Sequence, residues 1–320
     1  MALLQVNDLR VELGGQEVIS NACLELDAGE CIGIVGESGS GKSITCRAIT
    51  GMLPRIGARV AAGSIRLGGR ELAQAGQAEW RTVRGSSVVM VPQASLAGLD
   101  PVMRVGAQLS ETIRRRDRGS NTSGRARELL EQVQLPDAER VLRSYSHQLS
   151  GGMRQRVMIA LAIAARPDLL IADEPTTALD VTVQRAIIEM LDELRRDTGM
   201  GLVLVSHDLG VVRSIARQVY VMYGGMTVES GSTSAILDKP RHPYTQALLN
   251  ADPDLVQRGA RLTGLGGQPP APDEWRQACR FAPRCEHVHD ECVIDLPQLE
   301  STGERSSVAC LRWTEIAQHA

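Results

Sequence analysis

Apolar and polar residues alternate over residues 3–11 and again over 17–26, the period of two half-buried strands, with Gly14-Gly15 as an antiparallel turn between them. The pattern then becomes an unbroken apolar run, Cys31-Ile32-Gly33-Ile34-Val35, followed by a glycine-rich turn and a helical stretch from about Lys42 to Leu53. Short strands recur over residues 60–92 and end in Val88-Val89-Met90-Val91, just before Pro92-Gln93. Helical periodicity governs Val105 to Leu149, interrupted by the polar segment Asp117–Ser123 and by Pro136. Leu169–Ala172 and Gly201–Ser206 read as buried strands, and an amphipathic helix from about Val181 to Arg196 lies between them. After His207-Asp208 a helix leads to terminal strands over Gln218–Met222 and Thr227–Glu229, and His242-Pro243-Tyr244-Thr245 opens a short helix. Residues 252–275, including Gly266-Gly267-Gln268-Pro269-Pro270-Ala271-Pro272, read as a linker. Strands alternating with helices in this order predict an α/β fold.

Composition narrows the chemistry. At 320 residues and a net charge of −3, the longest basic run is Arg114-Arg115-Arg116, so no electrostatic footprint for nucleic acid is present. No apolar stretch approaches the roughly 18 residues that span a bilayer, and Met1–Asp8 has no signal-peptide layout. The expectation is a cytosolic protein whose role at any membrane comes through a partner. Cys23, Cys31 and Cys46 have apolar neighbours and are expected as small buried side chains. Cys279, Cys285, Cys292 and Cys310 crowd into the tail, where a reducing compartment favours metal over disulfides.

The central chemical signal is Gly36-Glu37-Ser38-Gly39-Ser40-Gly41-Lys42-Ser43, a G-x-x-x-x-G-K-S turn between a strand and a helix. Its glycines let backbone N–H groups close around a phosphate at the positive end of a helix, where Lys42 would neutralise the β- and γ-phosphates and Ser43 ligate Mg²⁺. Lys42 and Lys239 are the only lysines in an arginine-rich chain, as expected if a compact ammonium is required at position 42. A second helix end, Ser150-Gly151-Gly152, has a capping serine and open backbone, and can also receive an anion. Asp173-Glu174 closes the buried run Leu169–Ala172, placing carboxylates at the ligand-binding end of a parallel strand. Asp173 suits a Mg²⁺ shell, and Glu174 suits orienting or deprotonating water. His207 stands at the end of the next strand. For each of these the bland alternatives are a capped helix, a solvated acid pair and a structural histidine.

These motifs, in this order, resemble the ATP-binding subunits of ABC transporters along the whole chain. Gly36–Ser43 is similar to the Walker A motif, Leu169–Glu174 to Walker B and Leu149–Gln155 to the family signature. Gln93 matches the Q-loop, Ala178–Asp180 the D-loop and His207 the switch histidine. The wording of these motifs and the late His-Pro-Tyr-Thr look like the dipeptide/oligopeptide/nickel importer group, which has a C-terminal extension of this kind. The resemblance implies an α/β P-loop NTPase cassette over residues 1–250, with a RecA-like core, an antiparallel β subdomain and a helical subdomain over about 103–165. A linker over 251–275 and a small Cys-rich extension over 276–320 would follow. It implies ATP and Mg²⁺ as ligands, the metal held by Ser43, Gln93 and Asp173, and hydrolysis by Glu174 with His207 on the γ-phosphate and Gln93 reporting to a permease. Each ATP would lie between Gly36–Ser43 of one subunit and Ser150–Gly152 of another, a related but different chain. Two transmembrane permease subunits and an external substrate-binding protein complete the expected assembly, at the cytoplasmic face of the cell membrane. Two features depart from the family pattern: Leu13 stands where an aromatic often stacks on adenine, and Gln93–Pro101 lacks the usual acidic-proline start.

The tail spacing is C-x5-C-x6-C-x17-C. Structural zinc favours shorter knuckles, and four thiolates without them fit a [4Fe–4S] cluster, with zinc or no metal as alternatives. Cysteines of similar spacing hold such a cluster in some members of the group, in a structural or sensory role, and His287 and His289 are substitute ligands. Uptake of nickel or a metal chelate, a soluble ABC-type regulator without a permease, and a redox enzyme built on the tail are the competing functions.

Overall fold

The computed structural model describes residues 2–93, 98–117, 121–177, 179–252, 265–275, 277–303 and 305–316. Ala94–Ala97 of the Q-loop stretch, Ala178 of the D-loop, part of the polar segment after Asp117 and residues 253–264 of the expected linker lie outside these. The chain divides into two units, one from residues 1–27, 31–75 and 204–320, the other from 28–30 and 76–203.

The first unit opens with β1 (Ala2–Leu13) and β2 (Gln16–Asp27), an antiparallel pair with Leu4, Val6, Leu9 and Val11 of β1 fully buried; the alternation changes phase between Val6 and Leu9, where the pairing register shifts and Asp8 stands at φ 47°. The apolar run becomes β3 (Cys31–Val35), buried at every position, and the phosphate-loop helix is α1 (Lys42–Ile49). This helix stops short of Leu53: the Thr50 hydroxyl donates back to the Cys46 carbonyl, and Gly51 adopts a left-handed φ of 63°. β4 (Ala58–Leu67) pairs antiparallel with β1, and β5 (Arg70–Glu71) with β4.

The second unit begins with α2 (Gln77–Val83), a helix inside a stretch expected as strands only. Its buried face consists of Trp80 and Val83 alone, too few positions for a period to register. β6 (Val88–Val91) follows, then α3 (Val105–Arg116), α4 (Thr122–Gln132), α5 (Ala138–Arg143) and α6 (Gly151–Ala164). α6 buries residues around most of its circumference, from Val157 to Ala164. β7 (Leu169–Asp173), α7 (Val181–Thr198) and β8 (Gly201–Val205) complete the unit, with strand order β8-β7-β6 and β6 parallel to β7.

The chain returns to the first unit at the end of β8 and forms α8 (Leu209–Ile215), β9 (Gln218–Tyr223), β10 (Met226–Ser232), α9 (Thr233–Asp238) and α10 (Pro243–Asn250). β9 and β10 are a hairpin turning on Gly224-Gly225, both at positive φ. The cysteine-rich tail adds β11 (Glu300–Gly303), β12 (Ser306–Val308) and α11 (Trp313–Ile316). The sheet of this unit runs β5-β4-β1-β2-β10-β9-β3, and β12 pairs with β10 through Glu229↔Val308 and Ser230↔Ser307. Trp275, at the end of the segment read as a linker, packs on Gly225: a Cβ there would lie 2.4 Å from the indole. Among the described residues, no helix is long and apolar enough to cross a membrane.

Candidate functional site

The phosphate loop leaves β3 at Gly36, whose φ of 146° and surroundings admit only glycine, since a Cβ would sit 2.2 Å from the Met222 carbonyl oxygen. The loop re-enters helix at Gly41, the N-cap of α1, in the left-handed region at φ 105°. Neither a side-chain cap nor an acidic residue occupies the first turn of α1, so its positive end carries no anionic side chain of its own. Ser38 and Gly39 are exposed at the loop's tip, while Ser40 and Lys42 are buried. The Lys42 ammonium donates to the Gly36 carbonyl at 2.7 Å, to the Glu37 carbonyl at 2.8 Å and to the Ser40 hydroxyl at 3.4 Å. Weak neutral acceptors thus hold its three donors at the loop's centre, where a phosphate oxygen would form stronger charge-assisted bonds. Ser43 follows, half-buried, in the first turn of α1. His207 is exposed just beyond β8, and the next residue, Asp208, caps α8 by accepting from the Val211 N–H at 3.0 Å.

In the second unit the parallel pairing Val91↔Ala172 sets the strand ends side by side, so Gln93 and Glu174, each two residues on, meet. The Gln93 amide donates to Glu174 Oε2 at 2.6 Å, and the Thr177 hydroxyl donates to the same oxygen at 2.9 Å. Glu174 sits at φ 48°, an uncommon conformation for a non-glycine residue. Asp173, the last residue of β7, is buried at 3% exposure. Ser150 caps α6, its hydroxyl accepting from the Met153 N–H at 3.3 Å. The glycines after it have a packing reason beyond open backbone: a Cβ at Gly152 would lie 2.8 Å from Val183 Cγ1, and one at Gly151 would lie 3.3 Å from Leu179 Cδ2. The second unit thus carries Gln93, Ser150–Gly152, Asp173 and Glu174, and the first carries Gly36–Ser43 and His207.

In the tail, all four cysteines are free thiols. Together with His242, Phe281 and His287 they line one small cavity of about 20 Å³. Backbone N–H groups are directed at three of the sulfurs: those of Phe281 and Ala282 at Cys279, that of His287 at Cys285 and that of Arg312 at Cys310. Burial nevertheless pushes these thiols up, Cys310 to about 12, and the neighbouring sulfurs add to the shift. Among the described residues, no group of three or more His, Cys, Asp or Glu side chains is placed to hold a metal ion. Of the other cysteines, Cys31 and Cys46 are buried as expected, while Cys23 is only partly so and its Sγ accepts from the Asp8 N–H at 3.4 Å.

Sequence reasoning missed a set of residues around the late His-Pro-Tyr-Thr. His242 caps α10 through Nδ1, which accepts from the Tyr244 N–H at 3.0 Å. The buried Glu229 carboxylate receives the N–H groups of Arg241 and His242 at 2.7 and 3.2 Å. The Tyr244 hydroxyl accepts from the Glu37 N–H at 2.8 Å, tying α10 to the phosphate loop. The only local signal was the motif itself, which the periodicity reading used merely as a helix start.

Comparison with known proteins accounts for both parts of the chain. Residues 19–177 match the model of the ABC transporter family, and residues 228–292 match that of the oligopeptide/dipeptide transporter C-terminal region. The dipeptide transport ATP-binding protein DppD of Escherichia coli (strain K12) is 44% identical over 316 residues, 97% of this chain and 96% of that one. A putative peptide import ATP-binding protein of Brucella abortus (strain 2308) is 43% identical over 95% of this chain and 93% of its own. A solved dimeric post-hydrolysis ATP-binding cassette bound to ADP and Pi superposes with a TM-score of 0.64 at 25% identity, over 72% of this chain and 98% of that one. The cbiO1 protein of Clostridium perfringens, part of the ABC transporter complex cbiONQ, shares the fold with a TM-score of 0.64 at 22% identity, over 74% of this chain and 91% of its own. A phosphate loop, a capped glycine helix end and a tethered acid beyond a buried strand, in a chain matched nearly end to end, place it in one family: it belongs to the ABC transporter ATP-binding proteins, as a transport-coupled ATPase bearing the oligopeptide/dipeptide transporter C-terminal region.

Proposed function

We propose that this ATPase drives uptake of dipeptides or oligopeptides through a partner permease, supplied by an external substrate-binding protein. The dipeptide transport and peptide import roles named for the E. coli and Brucella relatives support the cargo class. Glu174 is the general base, and the observation that carries this is its carboxylate oxygen held by Gln93 and Thr177 beyond a buried strand. Lys42 and the α1 N-terminus bind the β- and γ-phosphates, and His207 contacts the γ-phosphate. Ser43, Gln93 and Asp173 hold Mg²⁺, and the buried Asp173 carboxylate is a donor suited to that ion. When bound, the ion neutralises charge on the phosphates. Ser150–Gly152 caps the nucleotide of a second, related ATPase chain; the dimeric cassette bound to ADP and Pi supports the pairing of two cassettes. The cassette spans residues 1–250, followed by the linker and the extension over 276–320, and the complex works at the cytoplasmic face of the cell membrane. Reconstitution with permease and binding protein in vesicles tests the reading: a dipeptide-loaded binding protein should raise ATP hydrolysis and give ATP-dependent peptide accumulation. Stimulation by nickel or a metal chelate alone would replace the cargo.

The tail cysteines are the proposed ligands of a [4Fe–4S] cluster with a structural or sensory role. Four thiols on one cavity, with N–H donors directed at three sulfurs, are the donor set such a cluster needs. Anaerobically purified protein should contain about four irons and absorb near 400 nm, and both should vanish when Cys285 and Cys292 become serine. One zinc without colour, or no metal, would refute the cluster.

A further inference from the structure

A loop that must hold a polyanion carries a carboxylate of its own, Glu37, and left alone that charge would oppose the ligand. In the first unit it is answered from the cysteine segment. Arg284, immediately before Cys285, donates from Nη1 to Glu37 Oε2 at 2.7 Å and from Nη2 to Glu37 Oε1 at 3.0 Å, a two-pronged pair. Two further donors are committed, Nε to the Gly266 carbonyl at 2.7 Å and Nη1 to the Tyr223 hydroxyl at 3.3 Å. The Arg284 side chain is 5% exposed, whereas that of Glu37 is 25% exposed. The guanidinium carbon lies 5.7 Å from the Tyr223 ring centre and 6.0 Å from that of Phe281.

The backbone of the same loop residue is fixed by Tyr244, whose ring stands 4.5 Å from Tyr223 and 5.4 Å from Phe281. The neighbouring cysteine repeats the arrangement one turn away. Arg280, next to Cys279, donates to the Gly224 carbonyl and stands 3.7 Å over Trp275, while the Gly225 N–H donates to the Ser40 carbonyl at 3.0 Å. Arg280 and Arg284, each beside a tail cysteine, therefore end on the turn that supports the phosphate loop and on the loop itself.

We propose that Arg284 is a positioning residue for nucleotide binding: it neutralises Glu37 and fixes the loop's second residue, so that the cysteine segment completes the nucleotide site. This rests on Gly36–Ser43 being the nucleotide cradle and adds a residue outside every motif of the cassette. A fork is required rather than a bare charge, because both carboxylate oxygens are engaged.

The test is titration of the full-length chain with a fluorescent ATP analogue and Mg²⁺, comparing wild type with Arg284→Lys, Arg284→Gln and the double variant Arg284→Gln/Glu37→Gln. Arg284→Gln should raise Kd about tenfold at about 50 mM salt and less at about 500 mM, where the exposed carboxylate is screened. Arg284→Lys should fall between wild type and Arg284→Gln. Removing the Glu37 charge in the Arg284→Gln background should restore most of the affinity, which a merely structural arginine would not allow. Thermal melts of the same samples separate binding from folding. If Arg284→Gln does not fold, the order of Kd between wild type and Arg284→Lys, with its salt dependence, still decides. Unchanged affinity in either single variant, or failure of the Glu37→Gln rescue, overturns the proposal. Absence of nucleotide binding by the wild-type chain would instead overturn the cradle assignment.

Discussion

Replacing Glu174 by glutamine isolates basicity from architecture. Gln93 and Thr177 both donate to the same oxygen of this carboxylate, at 2.6 and 2.9 Å. A glutamine amide oxygen in that place can accept both, leaving its NH₂ group where the other carboxylate oxygen stood. Size and backbone preference at φ 48° are unchanged, so stability should move by about 0.5 kcal/mol or less. What disappears is the lone-pair base, and loss of general-base catalysis costs about 10²–10⁴-fold in turnover, about 2.7–5.5 kcal/mol of barrier. Glu174→Ala is the contrast: it removes the acceptor for both donors, and should cost about 1 kcal/mol of stability as well as activity. Single-turnover phosphate release, with nucleotide affinity and a thermal melt on the same samples, reads all three quantities. Hydrolysis by Glu174→Gln within about threefold of wild type would remove Glu174 from the base role. Loss of nucleotide binding would show that the two hydrogen bonds do not survive the amide.

Four further outcomes follow from the same geometry. Gly36→Ala forces a Cβ to 2.2 Å from the Met222 carbonyl and should cost about 2 kcal/mol or more together with nucleotide binding. Gly39→Ala, at φ 82° with nothing within 4 Å, should cost only the left-handed conformation, about 1 kcal/mol by chemical denaturation. Gly152→Ala meets Cγ1 of the stiff, β-branched Val183 at 2.8 Å and should cost about 1–2 kcal/mol, recovered in part by Val183→Ala, with equilibrium unfolding as the readout. Burial pushes His242 down to about 4, against about 6.5 in the unfolded chain. The unfolded state therefore takes up this proton first. The stability held by neutral His242 is complete above about pH 6.5 and is lost as pH falls toward 4, about 2 kcal/mol of it by pH 5. Glu229, raised by burial, binds its proton more readily when folded and acts in the opposite sense, so His242→Asn should flatten or invert the slope of stability between pH 5 and 7. An unchanged slope would refute the assignment.

Which parts of this arrangement could be read in the chain depends on the range over which each is determined. The phosphate loop, the Ser150 cap and the strands with one or two buried faces are written within a dozen residues, through φ requirements, capping chemistry and hydrophobic period. Even the meeting of Gln93 and Glu174 was implicit, because both close apolar runs of a parallel sheet, and parallel strands align their ends. α2 escaped because two buried side chains make no period. The packing demand at Gly152 escaped because Val183 approaches from another helix.

The tail was least legible, and for a definite reason. Its cysteines were read as a ligand set closed on itself, which their spacing alone supports. The bonds that give the segment a place in the fold span far larger separations: Arg284 reaches Glu37 across 247 residues and Tyr244 reaches it across 207. No spacing rule connects such pairs, since an arginine beside a cysteine looks like any solvated charge until a carboxylate is found facing it. The pairing of β12 with β10 changes the meaning of that charge, because it anchors the tail on the sheet that carries the phosphate loop. A carboxylate beside a polyanion site is unfavourable unless a cation is held against it, and here that cation comes from a segment of the chain that no phosphate-binding motif includes.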